Sequence, residues 1–329
     1  MIKILRERVE NLSNYDDEYD VVYLDPPFGL DREFFMFEKD KKVAFDDKWE
    51  STDAYIEWYA SVIQDCFAAL KPNGWLYAHN NFDSNALVLG DVTKDIRSKF
   101  YTNISWKRSG PKNNIRKGWG NIVDSILVFK KGDPYFNVEY QPLDETYAKN
   151  SFKNKDDKGF YALGKLTGEK SRIGHMYEYN GYNPQYGWRF AEDKTKTLHE
   201  QNLIHWGANL PYKKIYLDES KGSPIQNFWD DIHFISRSEK NKRKYPTQKP
   251  VKLLERIVRT SCPPDGKVLD PFCGSGTTAL ACYNLGRDCT TMDISKDSIK
   301  IATEALIDAG CDINTCLLYT SPSPRDVRS

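Results

Sequence analysis

Three short stretches of this 329-residue chain carry side chains that could do chemistry together. The first is VVYLDPPFG, Val21 to Gly29, an apolar run ending in an acid, two prolines and an aromatic ring. Proline fixes φ and lacks an N–H, so Pro26 and Pro27 hold the chain on one course and leave carbonyls free of ladder pairing. Asp25 and the Pro26 carbonyl can then accept both hydrogens of a single amino group, while Phe28 offers a flat face beside them. Such a corner suits an exocyclic amine on a planar base, since stacking on an aromatic is worth roughly 1–3 kcal/mol per base. A mere turn seldom needs an acid, two prolines and an aromatic together.

The second stretch, VLDPFCGSGTTALA (Val268 to Ala281), reads as strand, glycine turn and helix. Gly274 and Gly276 let the backbone pass close to a ligand, and the N-terminus of the helix offers unpaired N–H groups. A nucleotide triphosphatase or a dehydrogenase could use a similar turn, but there is no GK[ST] for phosphate and magnesium and no third glycine of the dinucleotide type. The third stretch, CTTMDIS, places Asp293 at a strand end, where a carboxylate can accept from both hydroxyls of a ribose. The plainer alternative for Asp293 is a strand-end acid or helix cap.

These residues need a scaffold that brings distant strand ends together. Strand-like runs occur at 20–25, 74–80, 102–108, 125–131, 267–272 and 289–294. Helix-like runs at 51–70, 251–261, 277–285 and 295–309 alternate with several of them. Apolar strands separated by such helices predict an α/β fold, a doubly wound, mostly parallel sheet covered on both faces. Between 132 and 244 the sequence turns aromatic, polar and rich in glycine, as in YEYNGYNPQYGWRF, with no sustained period, so an inserted, irregular or mixed region is expected there. The expected organisation is a first sheet-forming half over 1–131, the insertion over 132–244, a second half over 245–314 and a tail over 315–329. That tail, TCLLYTSPSPRDVRS, becomes rich in Ser, Pro and Arg and is expected to be non-native or disordered.

Composition narrows the function classes. Apolar residues make up 40% of the chain, enough for a core, and no run is long enough to span a membrane. With no secretory signal at the charged N-terminus, a cytoplasmic protein of a prokaryote or phage is expected. The seven cysteines show no CxxC spacing and join no histidine cluster, so they read as small buried residues rather than as disulfides or metal ligands. Charge is balanced, 47 basic against 47 acidic residues, yet WKRSGPKNNIRK and RSEKNKRK concentrate positive charge in two connections.

DPPF (Asp25 to Phe28), DPFCGSGTT (Asp270 to Thr278) and YPTQKPVKLLERIV (Tyr245 to Val258) resemble the catalytic, cofactor and helix motifs of the S-adenosylmethionine-dependent amino-methyltransferases of DNA. The catalytic motif comes first and the cofactor motif last, which resembles the beta class of that family, including the modification subunits of type III restriction systems. The resemblance spans about residues 15–310. It implies a Rossmann-like methyltransferase sheet with an inserted target-recognition region. It further implies that Asp25 and Pro26, backed by Pro27, hold the target amine and that Phe28 stacks on a flipped base. Asp270, Phe272, Gly274, Ser275, Gly276 and Thr277 would surround S-adenosylmethionine, Thr247, Gln248, Lys249 and Pro250 would close over its methionine end, Asp293 would take the ribose and Ile294 would pack on the adenine. The family usually adds an edge strand after the last helix, and here that strand is expected to be missing.

Transfer to an exocyclic amine needs an extruded base whose nitrogen directly displaces the thioether from the methyl carbon, with neither a covalent enzyme intermediate nor a metal. Cys273 lies within the cofactor turn rather than near a target base, which argues against a thiol nucleophile. In the family an Asp at the first motif position accompanies adenine N6 and a Ser accompanies cytosine N4, so Asp25 favours adenine. The other outcomes are an N4-cytosine enzyme or a catalytically inactive DNA-binding relative; a Rossmann oxidoreductase leaves DPPF unexplained. RNA or protein glutamine as the methyl acceptor is disfavoured by the inserted region and the permuted motif order. Lys107, Arg108, Lys112, Arg116, Lys117, Arg189, Lys213, Lys214 and Arg237 are the candidate contacts to double-stranded DNA, with Trp188 and Trp206 as candidate base contacts. The resemblance also implies a homodimer or a restriction subunit as partner.

Overall fold

The computed structural model describes residues 1–15, 18–36, 42–111, 116–236, 242–312 and 316–320. Its first strand, Ile2–Arg6 (β1), buries Ile2, Ile4 and Leu5 and turns Lys3 and Arg6 outward. There follow Tyr19–Leu24 (β2), Arg32–Phe35 (β3), Val43–Asp47 (β4), Thr52–Ala68 (α1), Leu70–Asn80 (β5), Phe82–Asp91 (α2), Lys94–Ser98 (α3), Phe100–Lys107 (β6) and Val123–Lys131 (β7). α1 starts where the Ser51 side chain accepts the Ala54 N–H, satisfying one of the orphan donors of a helix start. It buries Tyr55, Ile56, Tyr59 and Ile63 against Val22, Leu24, Leu76 and Ala78 of the sheet.

Next come Tyr140–Gln141 (β8), Glu145–Ser151 (α4), Asn154–Asp156 (β9), Gly159–Lys165 (β10), Glu192–Glu200 (α5), Ile204–Trp206 (β11), Pro211–Tyr216 (β12) and Ser223–Pro224 (β13). After these come Phe228–Trp229 (β14), Val251–Ser261 (α6), Lys267–Asp270 (β15), Thr277–Asn284 (α7), Asp288–Met292 (β16), Lys296–Asp308 (α8) and Cys316–Thr320 (β17).

Among the described residues, nine strands form one sheet in the order β14-β6-β7-β5-β2-β15-β16-β1-β17. All neighbours run parallel except at β7, which is antiparallel to β5 and β6. β2 sits at the centre and is buried along almost its whole length, as its unbroken apolar run requires of a parallel strand. The mostly parallel α/β sheet expected from the sequence is thus present.

The chain divides into two compact units, Met1–Val138 with Gln226–Ser329, and Glu139–Ile225. The second unit has its own four-stranded antiparallel sheet, β11-β12-β10-β9, and its own core of Leu166, Trp188, Leu198 and Ile204. It is narrower than the 132–244 insertion, because β14 already returns to the large sheet beside β6. The expected loss of a strand after α8 is corrected as well. Cys316–Thr320 pairs parallel with β1 from Ile2↔Cys316 to Arg6↔Thr320, where β1 would otherwise be a bare edge.

Candidate functional site

In an open α/β sheet, ligands collect at the carboxyl ends of the strands where the winding reverses. β2 lies between β5 and β15, and the pairings Val21↔Trp75 and Val21↔Val268 set the carboxyl ends of all three side by side. A cavity of about 790 Å³ opens there, lined by Asp25, Pro26, Phe28, Phe272, Gly274 and Asp293 among others. Two corners from opposite ends of the sequence therefore face one space.

The acidic corner is clamped by groups the sequence did not advertise. The Tyr55 hydroxyl donates to the Pro27 carbonyl at 2.7 Å and accepts from Asn80 at 2.6 Å. Asn81 donates to the Phe28 carbonyl at 2.9 Å, and Ser84 does so at 3.3 Å. The N–H groups of Gly29 and Leu30 both end on the Asp47 carboxylate. Gly29 has φ +68°, and a Cβ there would fall 2.7 Å from the Tyr55 ring. Among the described residues, the buried Pro26 carbonyl alone of this run's Pro26, Pro27 and Phe28 accepts no hydrogen bond from a side chain, which leaves it able to accept one.

The Asp25 side chain meets Lys249. Its Oδ1 accepts from the Lys249 ammonium at 2.6 Å and Oδ2 accepts from the same group. Lys249 Nζ also stands 5.1 Å from the centre of the Phe28 ring. The side chain expected over a cofactor thus sits on the acid, and only its backbone keeps to the glycine turn, with the carbonyl accepting from the Thr277 hydroxyl.

Behind this pair lies a fully buried imidazole. His79 Nδ1 bonds the Tyr23 hydroxyl at 2.7 Å and is 3.9 Å from Asp25 Oδ1, while the ring packs 5.7 Å from Phe28 and 5.6 Å from Trp106. His79 Nε2 comes within 3.4 Å of Asp124 Oδ2 without a formed hydrogen bond. Burial alone would raise the Asp124 carboxyl, but the His79 imidazole and the Lys249 and Arg108 charges hold it below its ordinary value. Arg108 Nε donates to Asp124 Oδ1 at 2.6 Å. His79 and Asp124 have no sequence signature, since neither sits in a recognisable spacing.

The glycine turn is built as its residues predict. Gly274 (φ +50°) and Gly276 (φ +76°) are both left-handed. A Cβ on Gly274 would come 3.2 Å from the Tyr245 ring, and one on Gly276 would come 2.6 Å from Ala302. Asp270 is buried and accepts the Phe272 N–H, closing the turn, and burial pushes its carboxyl up to about 7. Asp293 accepts the N–H groups of Gly274 and Ser295, one on each oxygen, and burial raises it too. It is therefore a strand-end cap. Ser275 bonds Thr277, Gln248 accepts the Arg243 N–H, Thr247 lines the cavity, Pro250 leads into α6, and Ile294 is 60% exposed at the rim. Burial pushes the Cys273 thiol well above its ordinary range, which disarms it as a nucleophile.

The candidate DNA contacts separate sharply. Arg116 and Lys117 are exposed, Lys107 and Arg108 are half-buried, and Lys112 and Arg237 lie outside the described residues. In the second unit, Arg189 is exposed but paired with Glu169, and Lys213 lies over Phe190. Two expectations fail there. Lys214 is buried against Asp156 and Asn202, and Trp188 is the fully buried centre of that unit's core. A folded insertion needs its own interior, and these residues provide it. Trp206 remains 36% exposed.

Among the described residues, no helix is long and apolar enough to cross a membrane, and no group of three His, Cys, Asp or Glu side chains could hold a metal ion.

A family model described as DNA methylase, covering N6 and N4 enzymes, matches residues 19–304. The chain is 26% identical over 316 residues to the Mod subunit of the type III restriction-modification enzyme StyLTI of Salmonella typhimurium, covering 84% of this chain and 48% of that one. It is 27% identical over 285 residues to the type II methyltransferase M.EcaI of Enterobacter cloacae, covering 84% and 62%. The chain thus spans between about half and two thirds of the length of these relatives. In fold it is similar to TTHA0409 of Thermus thermophilus, solved with S-adenosyl-L-methionine, with a TM-score of 0.53 at 14% identity over 98% of this chain and 100% of that one.

Proposed function

This chain belongs to the DNA methylase family of N6 and N4 enzymes, and from that premise we propose that it methylates the exocyclic N6 of an adenine flipped out of double-stranded DNA, with S-adenosylmethionine as donor. The observation that carries the proposal is the shared cavity, in which the acidic corner and the glycine turn face each other.

The residues of the turn fit the cofactor. Left-handed Gly274 and Gly276 let the turn pack closely under Tyr245 and Ala302 while it borders the cavity, and Asp293 would accept from the ribose hydroxyls. Thr247 and the Lys249 backbone would border the methionine end, and exposed Ile294 would pack on the adenine. When bound, this cofactor supplies a methyl group on a sulfonium whose leaving group is a neutral thioether.

The chain's own part is to present the amine. Extruding a base costs a few kcal/mol of unstacking, which the Phe28 face offsets in part. Asp25 and the Pro26 carbonyl would each accept one amino hydrogen, drawing the nitrogen toward a tetrahedral shape with its lone pair aimed at the donor. The clamps from Tyr55, Asn81 and Asp47 keep that corner fixed during the transfer. Arg116 and Lys117 would meet backbone phosphates, and a homodimer or restriction subunit in the cytoplasm would complete the assembly.

The decisive experiment is incubation with labelled cofactor and mixed unmethylated DNA, followed by mass analysis of the nucleosides. N6-methyladenine is expected. N4-methylcytosine would overturn the base assignment, and no incorporated label would overturn methyl transfer itself.

A further inference from the structure

Of the four residues expected to close over the cofactor, Lys249 is the one whose side chain reaches the acidic corner. Its ammonium donates to both oxygens of Asp25 and stands above the Phe28 ring. A nitrogen donor on that carboxylate and over that ring holds the place that the target amino group would take. The pair is largely shielded from water, with 12% of the Lys249 side chain and 16% of the Asp25 side chain exposed. The Lys249 carbonyl meanwhile accepts the Thr277 hydroxyl at the start of α7, so a single residue joins the two corners.

On the function proposed above, we infer that Lys249 is the resting counter-ion of the amino-group site, exchanged for the positive charge of the methyl donor when that donor binds. A partly buried carboxylate stripped of its partner is costly. The target amine is neutral, so it can replace the hydrogen bonds of Lys249 but not its charge. A sulfonium in the same cavity can replace the charge. Transfer carries that charge with the methyl group to the base nitrogen, and once the extra proton there has left to water neither the methylated amine nor the neutral thioether can replace it. Lys249 therefore yields the site only while that positive charge is present and reclaims it once the methyl group has moved and the nitrogen has lost its proton. Base capture is thereby tied to the charged cofactor, and the returning ammonium helps to expel the methylated base.

The test is the ratio of two affinities, measured by calorimetric titration of the full chain with S-adenosylmethionine and with its thioether product, in the absence of DNA. Lys249→Met removes the competing ammonium and leaves Asp25 uncompensated, so the preference for the sulfonium should widen by about tenfold, the scale of one screened unit charge. Lys249→Gln, which keeps polar bulk, should widen it likewise. Asp25→Asn should narrow the preference below that of the wild-type chain. An unchanged ratio in both Lys249 variants, with both ligands still bound, overturns the inference while leaving the proposed function standing. Binding of neither ligand by the wild-type chain overturns both.

Discussion

At the scale of single residues, the acidic corner is held by donors and acceptors already paired with one another. Tyr55 shows this most clearly, since one buried hydroxyl supports both the Pro27 carbonyl and Asn80. Tyr55→Phe takes this partner from the buried Asn80 amide and the half-buried Pro27 carbonyl, so a loss of roughly 1–3 kcal/mol in urea unfolding is expected. It should also bring about a tenfold or greater fall in methyl transfer, and cofactor affinity should hold. Equal losses of transfer and cofactor binding would sink the assigned role. Asp270 carries a pH signature. Its carboxyl titrates near 3.9 when unfolded but at about 7 when folded. Because the folded value is raised, the contribution to stability is full below about 4 and is lost as the pH climbs to about 7. Asp270→Asn keeps an acceptor for the Phe272 N–H and cannot ionise. The variant should gain on the wild-type chain by on the order of a few kcal/mol between pH 5 and pH 8. Parallel melting curves at the two pH values would contradict this. The acid, the prolines and the glycines of the site were legible in the sequence because each has a local signature. His79, Asp124 and the Lys249–Asp25 pair were not, since they depend on which strands become neighbours.

At the scale of elements, long apolar runs declared themselves and short or amphipathic pieces did not. α6 spans Val251–Ser261 as its pattern predicts, and β2, β5, β15 and β16 fall within a few residues of their apolar runs. β1 escaped notice because Lys3 and Arg6 give Ile2–Arg6 a polar surface, although alternation buries the rest. α2 also escaped, despite the cap in which Asn81 accepts the Ser84 N–H. Its position matters, because that cap residue also holds the Phe28 carbonyl. Packing between elements sets the tolerance of the glycine turn. Gly276 begins α7 with its Cα facing Ala302 of α8, where an added Cβ would lie 2.6 Å away. Gly276→Ala combines that clash with a left-handed backbone, and a cost of roughly 1–3 kcal/mol is expected. Melting temperature and cofactor affinity should fall together, and a variant as stable as the wild-type chain would show that α8 gives way freely.

At the scale of the whole molecule, zero net charge hides local concentration. Arg116 and Lys117 are both exposed in one connection between β6 and β7, the strand that carries Asp124. If these two neutralise phosphates, replacing both with Ala should lower the slope of log affinity against log salt by about 2. Lys214→Ala should leave the slope alone and lower the melting temperature, because Lys214 is bound to Asp156 inside the second unit. A changed slope for Lys214→Ala and none for the pair would reverse the assignment. The antiparallel sheet of that unit was illegible in sequence, because pairs such as Tyr161↔Tyr216 join short strands across a long stretch without periodicity. The central sheet has an analogous arrangement with a temporal consequence. β2 pairs with β15, and β1 pairs with β16, so strands from the first 24 residues wait for partners beyond residue 266. On the ribosome, the early strands emerge long before their neighbours exist. A nascent chain therefore has no glycine turn beside its acidic corner until the residues beyond 266 have been synthesised.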